Sequence, residues 1–138
     1  MGAMKDKNSF AKYQLPLLLW ALLIAVSSSI PGAAFPQVSQ WWIPKIIHVI
    51  YFFLFCVLVY RALKHQNLMP LSVNACLALS LVLTLVYALL DESHQLLTAG
   101  RHPSLTDVII DTVSASLFVV PVWISGVVQQ KQREADPA

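Results

Sequence analysis

Apolar residues run along this chain in long blocks, neither in the alternation of a half-buried strand nor in the one-sided stripe of a soluble amphipathic helix. A helix rises about 1.5 Å per residue, so a hydrocarbon core of about 30 Å needs about 20 apolar residues. Four blocks qualify, running from about Tyr13 to Ile30, Ile43 to Ala62, Met69 to Leu90 and Leu105 to Val128. Prolines punctuate them: Pro31 and Pro36 follow the first, Pro44 and Pro70 open the second and third, and Pro103 precedes the fourth. That placement suits a residue tolerated at helix starts and excluded from helix interiors. Pro121 falls inside the fourth block, where a kink is expected. The pattern predicts an all-α membrane protein, a bundle of four transmembrane helices. An N-terminal segment (residues 1–12), a membrane domain (13–128) and a tail (129–138) follow from these limits. Met1-Gly2-Ala3 ahead of Met4 reads as an expression scar, and the first block with Gly32-Ala33-Ala34 behind it also fits a signal peptide.

Composition removes the soluble alternative. Hydrophobic residues make up 57% of the 138 positions and charged residues 12%, whereas soluble domains are about 45–50% apolar. A net charge of +2 is too small to imply a nucleic-acid partner. Cys56 and Cys76 both lie within apolar blocks, where thiols act as small packing groups, and they form neither a disulfide framework nor a zinc signature.

The basic residues set the expected orientation. Lys5, Lys7, Lys12, Arg61, Lys64, Lys131 and Arg133 belong to one side of the bundle, leaving Lys45 and Arg101 on the other. Cytoplasmic loops carry the excess of Lys and Arg, so both termini are expected in the cytoplasm, in a multi-pass protein of the cytoplasmic (inner) membrane. Trp41 and Trp42 then serve as an outer aromatic anchor.

With this topology, Asp91, Glu92, Asp107 and Asp111 crowd the outer ends of the third and fourth spans. Lys45 and His48 begin the second span on the same side, and the connection between the third and fourth spans adds His94, Gln95, Arg101 and His102. Ser80, Thr84, Tyr87, Asp91 and then His94 or Gln95 follow at helical spacing, an inward face; Asp107, Asp111 and Ser114 repeat it, as do His48, Tyr51 and Phe52. Ionisable groups at membrane depth face the bundle interior or a water-filled cavity, so these faces are expected to converge on a pocket at the outer leaflet.

Plainer readings exist for each residue alone. His48 fits an interfacial histidine, Thr106-Asp107 fits a helix N-cap with an acid favoured by the dipole, and Asp91, Glu92 and Arg101 fit a solvated loop with an ion pair. Asp111 is harder to explain, since an unpaired carboxylate about one turn into the span costs about 2.5–3.5 kcal/mol. It needs a partner, for which Arg101, Lys45 and His48 are the candidates.

The stretch from Asp91 to Asp107, DESHQLLTAGRHPSLTD, resembles the signature of the VanZ-like family, small bacterial membrane proteins named after a teicoplanin-resistance determinant. The family pattern reads D-E-x-x-Q, a short loop ending in G-R, then D-x-x-x-[ND] entering the last helix; Asp91, Glu92, Gln95, Gly100, Arg101, Asp107 and Asp111 match it. Lys45-x-x-His48 and Ser29-x-Pro31 are similar to two further family features. Where the family often carries asparagine and then glycine in the last helix, this chain has Asp111 and Ser114-Ala115. The resemblance implies a bacterial envelope protein with a link to lipoglycopeptide susceptibility, and carries no biochemical activity with it.

Two roles are compatible with these residues. One is an enzyme acting on a lipid-linked phosphate or an envelope lipid, in which Arg101, Lys45 and Tyr87 hold the ligand. The catalytic candidates are His48, Asp91, Glu92, His94, Gln95, Asp107 and Asp111. The other is a non-enzymatic protein that binds lipid or glycopeptide. Membrane lipids are the expected partners in both. Transport ranks below them, because Ser80 and Thr84 reach only mid-membrane and carry no charge. No cofactor is expected: histidines with carboxylates could hold a divalent metal, but H-x-x-x-H and C-x-x-C spacings are absent.

Overall fold

A computed structural model describes residues 8–34 and 42–135. Among these residues all regular structure is helical. A π-helical turn, Phe10–Gln14, leads into helix α1, Leu15–Ser29, and a 3-10 turn, Gly32–Ala34, follows it. Helix α2 is Trp42–Lys64, α3 is Val73–Gln95 and α4 is Leu105–Ala135. Phe10–Ser29, α2, α3 and α4 are each long and apolar enough to cross a membrane, so the described residues form an all-α bundle with four helices of membrane-spanning length.

Local capping moves two expected boundaries. Ser72 Oγ accepts from the Ala75 amide at 3.1 Å, so α3 starts at Val73 and Pro70 stays outside it, instead of opening a helix at Met69. The same helix continues past Leu90 to Gln95, so Asp91 and Glu92 stand at its end as expected, while His94 and Gln95 belong to its last turn and not to the connection. At α4 the cap is Ser104, not Thr106, because Ser104 Oγ accepts from the Thr106 amide at 3.2 Å. Helix α4 continues through Pro121 and beyond Val128 to Ala135, so residues 129–135 extend it.

Packing centres on α2, α3 and α4. Phe52, Phe55 and Val59 of α2 meet Ala88 of α3, Val108 of α4 and Ile24 of α1; a second cluster joins Tyr60, Cys76 and Leu77 to Phe118, Val119 and Val122. Ser114 and Ala115 are buried, the small side chains that let α4 approach its neighbours closely. Cys56 and Cys76 are buried free thiols, as expected.

Lipid tails are as apolar as leucine, so helices in a bilayer associate through packing and hydrogen bonds. The loosely covered α1 illustrates this, with only Ile24 and Ser28 buried. Tyr87 Oη donates to the Ala21 carbonyl at 2.6 Å, and Trp20 Nε1 donates to the Tyr51 carbonyl at 3.0 Å. Beside these ties an apolar groove of about 680 Å³ runs between α1 and α3, lined by Leu17, Ala21, Leu83, Val86, Tyr87 and Leu90 among others.

The two ends of the bundle differ in charge. Lys12 and Arg61 lie 5.4 and 5.8 Å from the Tyr13 ring, and Lys64 lies 5.7 Å from the Tyr60 ring. Lys45 and Arg101 stand at the opposite end, one at the start of α2 and the other between α3 and α4. Trp42 is exposed at the first residue of α2; Trp41, Lys5 and Lys7 lie outside the described residues.

Candidate functional site

Three helix ends meet where the start of α2, the end of α3 and the start of α4 come together. One turn separates Lys45 from His48 on α2, and four residues separate Asp107 from Asp111 on α4, so each pair shares a helix face. The faces oppose one another in register. Lys45 Nζ lies 3.0 Å from Asp107 Oδ1, and His48 Nδ1 lies 3.1 Å from Asp111 Oδ1 and 3.4 Å from Oδ2. Of the three partners open to Asp111, the fold selects His48, while Lys45 takes Asp107.

Exposure grades from rim to floor. The side chains of Lys45 and Asp107 are 32% and 22% accessible, that of His48 is 18%, and that of Asp111 is 0%. Phe52, one turn below His48, lies parallel to the imidazole at 6.1 Å and closes the floor with carbon.

Helix α3 adds the remaining acids. Glu92, only 6% exposed, accepts the Ser104 amide through Oε2 at 2.7 Å. It thereby gives α4 the carboxylate that a capping box ordinarily takes from within the helix. Its other oxygen, Oε1, is buried with no hydrogen-bond partner. Donor atoms of His48, Glu92 and Asp107, one from each helix, lie within 4.8 Å of one another. Asp91 is held by its own helix, with Gln95 Nε2 donating to Oδ2 at 3.0 Å. Gln95 therefore occupies the inward position that the spacing left open between it and His94.

Other expected site residues point elsewhere. His94 is exposed, with Nε2 2.9 Å from Ser29 Oγ. Arg101 donates from Nε to the Ile30 carbonyl at 3.2 Å and from Nη2 to the Ser27 carbonyl at 3.0 Å. These contacts pin the α3–α4 connection onto the C-terminal end of α1, where the dipole favours a cation. Tyr87 serves α1 through its bond to Ala21. Ser104 and the carbonyls of Ser27 and Ile30 were not anticipated, and Ser29 had entered only through the Ser29-x-Pro31 likeness. Of the unanticipated groups only Ser104 left a sequence signal, the Ser-x-x-Asp spacing to Asp107 at the start of an apolar run.

Chemically, the His48–Asp111 contact is an imidazole oriented by a buried carboxylate. Asp111 engages Nδ1, so the ring's second nitrogen is the one left for proton transfer or coordination.

A multi-span helical membrane protein with an ionisable cluster at one end of the bundle is the class that fold and site define. The VanZ/LLP1 family model matches residues 5–126, and the chain belongs to this family. The match includes every residue of the cluster. No curated protein and no solved structure matches the chain.

Proposed function

We propose that the protein resides in a bacterial cytoplasmic membrane with both termini in the cytoplasm, and that its polar cluster receives the phosphate-bearing headgroup of an envelope lipid at the outer leaflet. His48, oriented by Asp111, moves a proton on the bound headgroup or on the water that attacks it. Lys45 has three donors and spends one on Asp107, leaving two for a phosphate oxygen. Family membership supports the further reading that this activity alters susceptibility to teicoplanin-type glycopeptides.

The observation that carries the proposal is the His48–Asp111 pair at 3.1 Å, buried at its carboxylate and partly open at its ring. A structural ion pair needs no such asymmetry; a group that must meet a ligand does. The apolar groove supports a lipid in particular. Tyr87 and Leu90, which line it, precede Asp91 by about one turn or less on α3, so an alkyl chain lying in the groove brings its headgroup to the cluster. The clustering of Lys12, Arg61 and Lys64 at the other end supports the orientation.

Purified protein incubated with bacterial envelope lipids and followed by mass spectrometry tests this. Conversion of a phosphate-bearing lipid, lost in His48→Gln, is the expected result. Retention of a lipid without any product reduces the site to headgroup binding, and neither retention nor conversion removes the proposal.

A further inference from the structure

We infer that His48, Glu92 and Asp107 form a binding site for one divalent cation of the kind that accepts mixed nitrogen and oxygen donors, such as Zn²⁺ or Mn²⁺. The three donors come from α2, α3 and α4 and lie within 4.8 Å of one another. Small side-chain rotations bring such a set onto one ion, whose bonds to imidazole and carboxylate are about 2.0–2.2 Å for zinc. One nitrogen and two carboxylates suit zinc or manganese, with imidazole drawing the first and oxygen the second.

Proximity of acids alone is weak ground, and a second observation points to a ligand. Glu92 Oε1 is buried without a hydrogen-bond partner, on a side chain whose other oxygen is already committed to the Ser104 amide. Buried polar atoms in folded proteins are almost always paired, and an orphaned oxygen on a carboxylate that clusters with two further metal-ligating residues is the arrangement a cation completes. The surroundings fit as well. Asp111 holds His48 through Nδ1, the carboxylate–imidazole support that metal-bound histidines usually have, leaving Nε2 for the ion. Lys45 engages Asp107 through Oδ1, so Oδ2 remains to coordinate.

Charge supplies the functional link. Asp91, Glu92, Asp107 and Asp111 crowd this end of the bundle beside Lys45 and Arg101, and a further cation would ease the approach of a phosphate that Lys45 alone draws in. A divalent ion would balance those acids and supply a positive point for a phosphate oxygen and an acidified water. With both its nitrogens then engaged, His48 would serve as a ligand, and the acidified water would take the proton step otherwise given to the imidazole. The cation site stands on its own geometry; its role toward a headgroup rests on the reading given under Proposed function.

The test uses the full chain in detergent, stripped with chelator and titrated with Mn²⁺ by electron paramagnetic resonance and with Zn²⁺ by calorimetry. One saturable equivalent is expected. Glu92→Gln, which keeps an acceptor for the Ser104 amide, and Asp107→Asn should each weaken binding at least tenfold, while Glu134→Gln, outside the cluster, should bind like wild type. Wild-type protein with Mn²⁺ should also show hyperfine coupling to a histidine nitrogen, a readout that needs no variant to fold. No saturable equivalent, wild-type binding by both variants, or bound Mn²⁺ without nitrogen coupling overturns the site. A cation that binds as described but leaves lipid retention and conversion unchanged overturns its role toward the headgroup and leaves the site standing.

Discussion

Asp111 on α4, with no accessible surface on its side chain, lies 3.1 Å from His48 Nδ1 on α2. No other carboxylate in the cluster is so deeply buried, and the contact joins the two helices at the level where the polar end gives way to Phe52. Removing one member of a buried polar pair strands the other. Asp111→Ala is expected to lower stability by about 3 kcal/mol. In Asp111→Asn the amide oxygen can still accept from Nδ1–H, so a smaller loss is expected there. Thermal unfolding in detergent of both variants beside wild type measures the difference; equal, negligible losses would mean the contact contributes nothing to the fold.

Lys45 and Asp107 have the same spacing but a different environment. Their side chains are 32% and 22% accessible, and ion pairs reached by solvent contribute little. Lys45→Met is expected to change stability by less than about 1 kcal/mol, while weakening retention of phosphate-bearing lipid. A stability loss as large as that of Asp111→Ala would contradict the assignment of Lys45 to the ligand side of the site.

Arg101 acts on the frame. Its bonds to the Ile30 and Ser27 carbonyls depend on a planar fork that lysine lacks. Arg101→Lys is therefore expected to speed hydrogen exchange in the last turn of α1 and in the α3–α4 connection, with little change in the interior of α2. Exchange unchanged at the end of α1 would show that the charge alone suffices.

Orientation is open to chemical labelling. On a background lacking Cys56 and Cys76, Ala99→Cys in the α3–α4 connection should react with an impermeant maleimide in intact cells. Leu68→Cys, in the α2–α3 connection, should react only after permeabilisation. The reverse pattern would place the cluster at the inner face.

Hydrophobic blocks made the four spans legible, because burial in lipid needs length and apolarity and little else. The cluster was legible for a related reason: ionisable residues are costly in such a setting, so Asp111 announced a partner before the fold named His48. Boundaries were less so. His94 and Gln95 follow the apolar block closely enough to read as part of the connection, yet they are helical, with Gln95 reaching Asp91 and Glu92 reaching the Ser104 amide. The position of Arg101 could not be read at all, since its guanidinium donates to backbone carbonyls 71 and 74 residues away in sequence. A carbonyl leaves no mark in the amino-acid pattern, and a lone outer arginine among acids looks the same whether it faces a ligand or a helix end.

The most direct measurement compares wild type, His48→Gln and Asp111→Asn after incubation with envelope lipid extract, with retained and converted lipids identified by mass spectrometry. Wild type should retain and convert a phosphate-bearing lipid, and both variants, checked as folded by size-exclusion profile, should lose the conversion. Identical lipid profiles for all three proteins would contradict a lipid-directed site built on the His48–Asp111 pair.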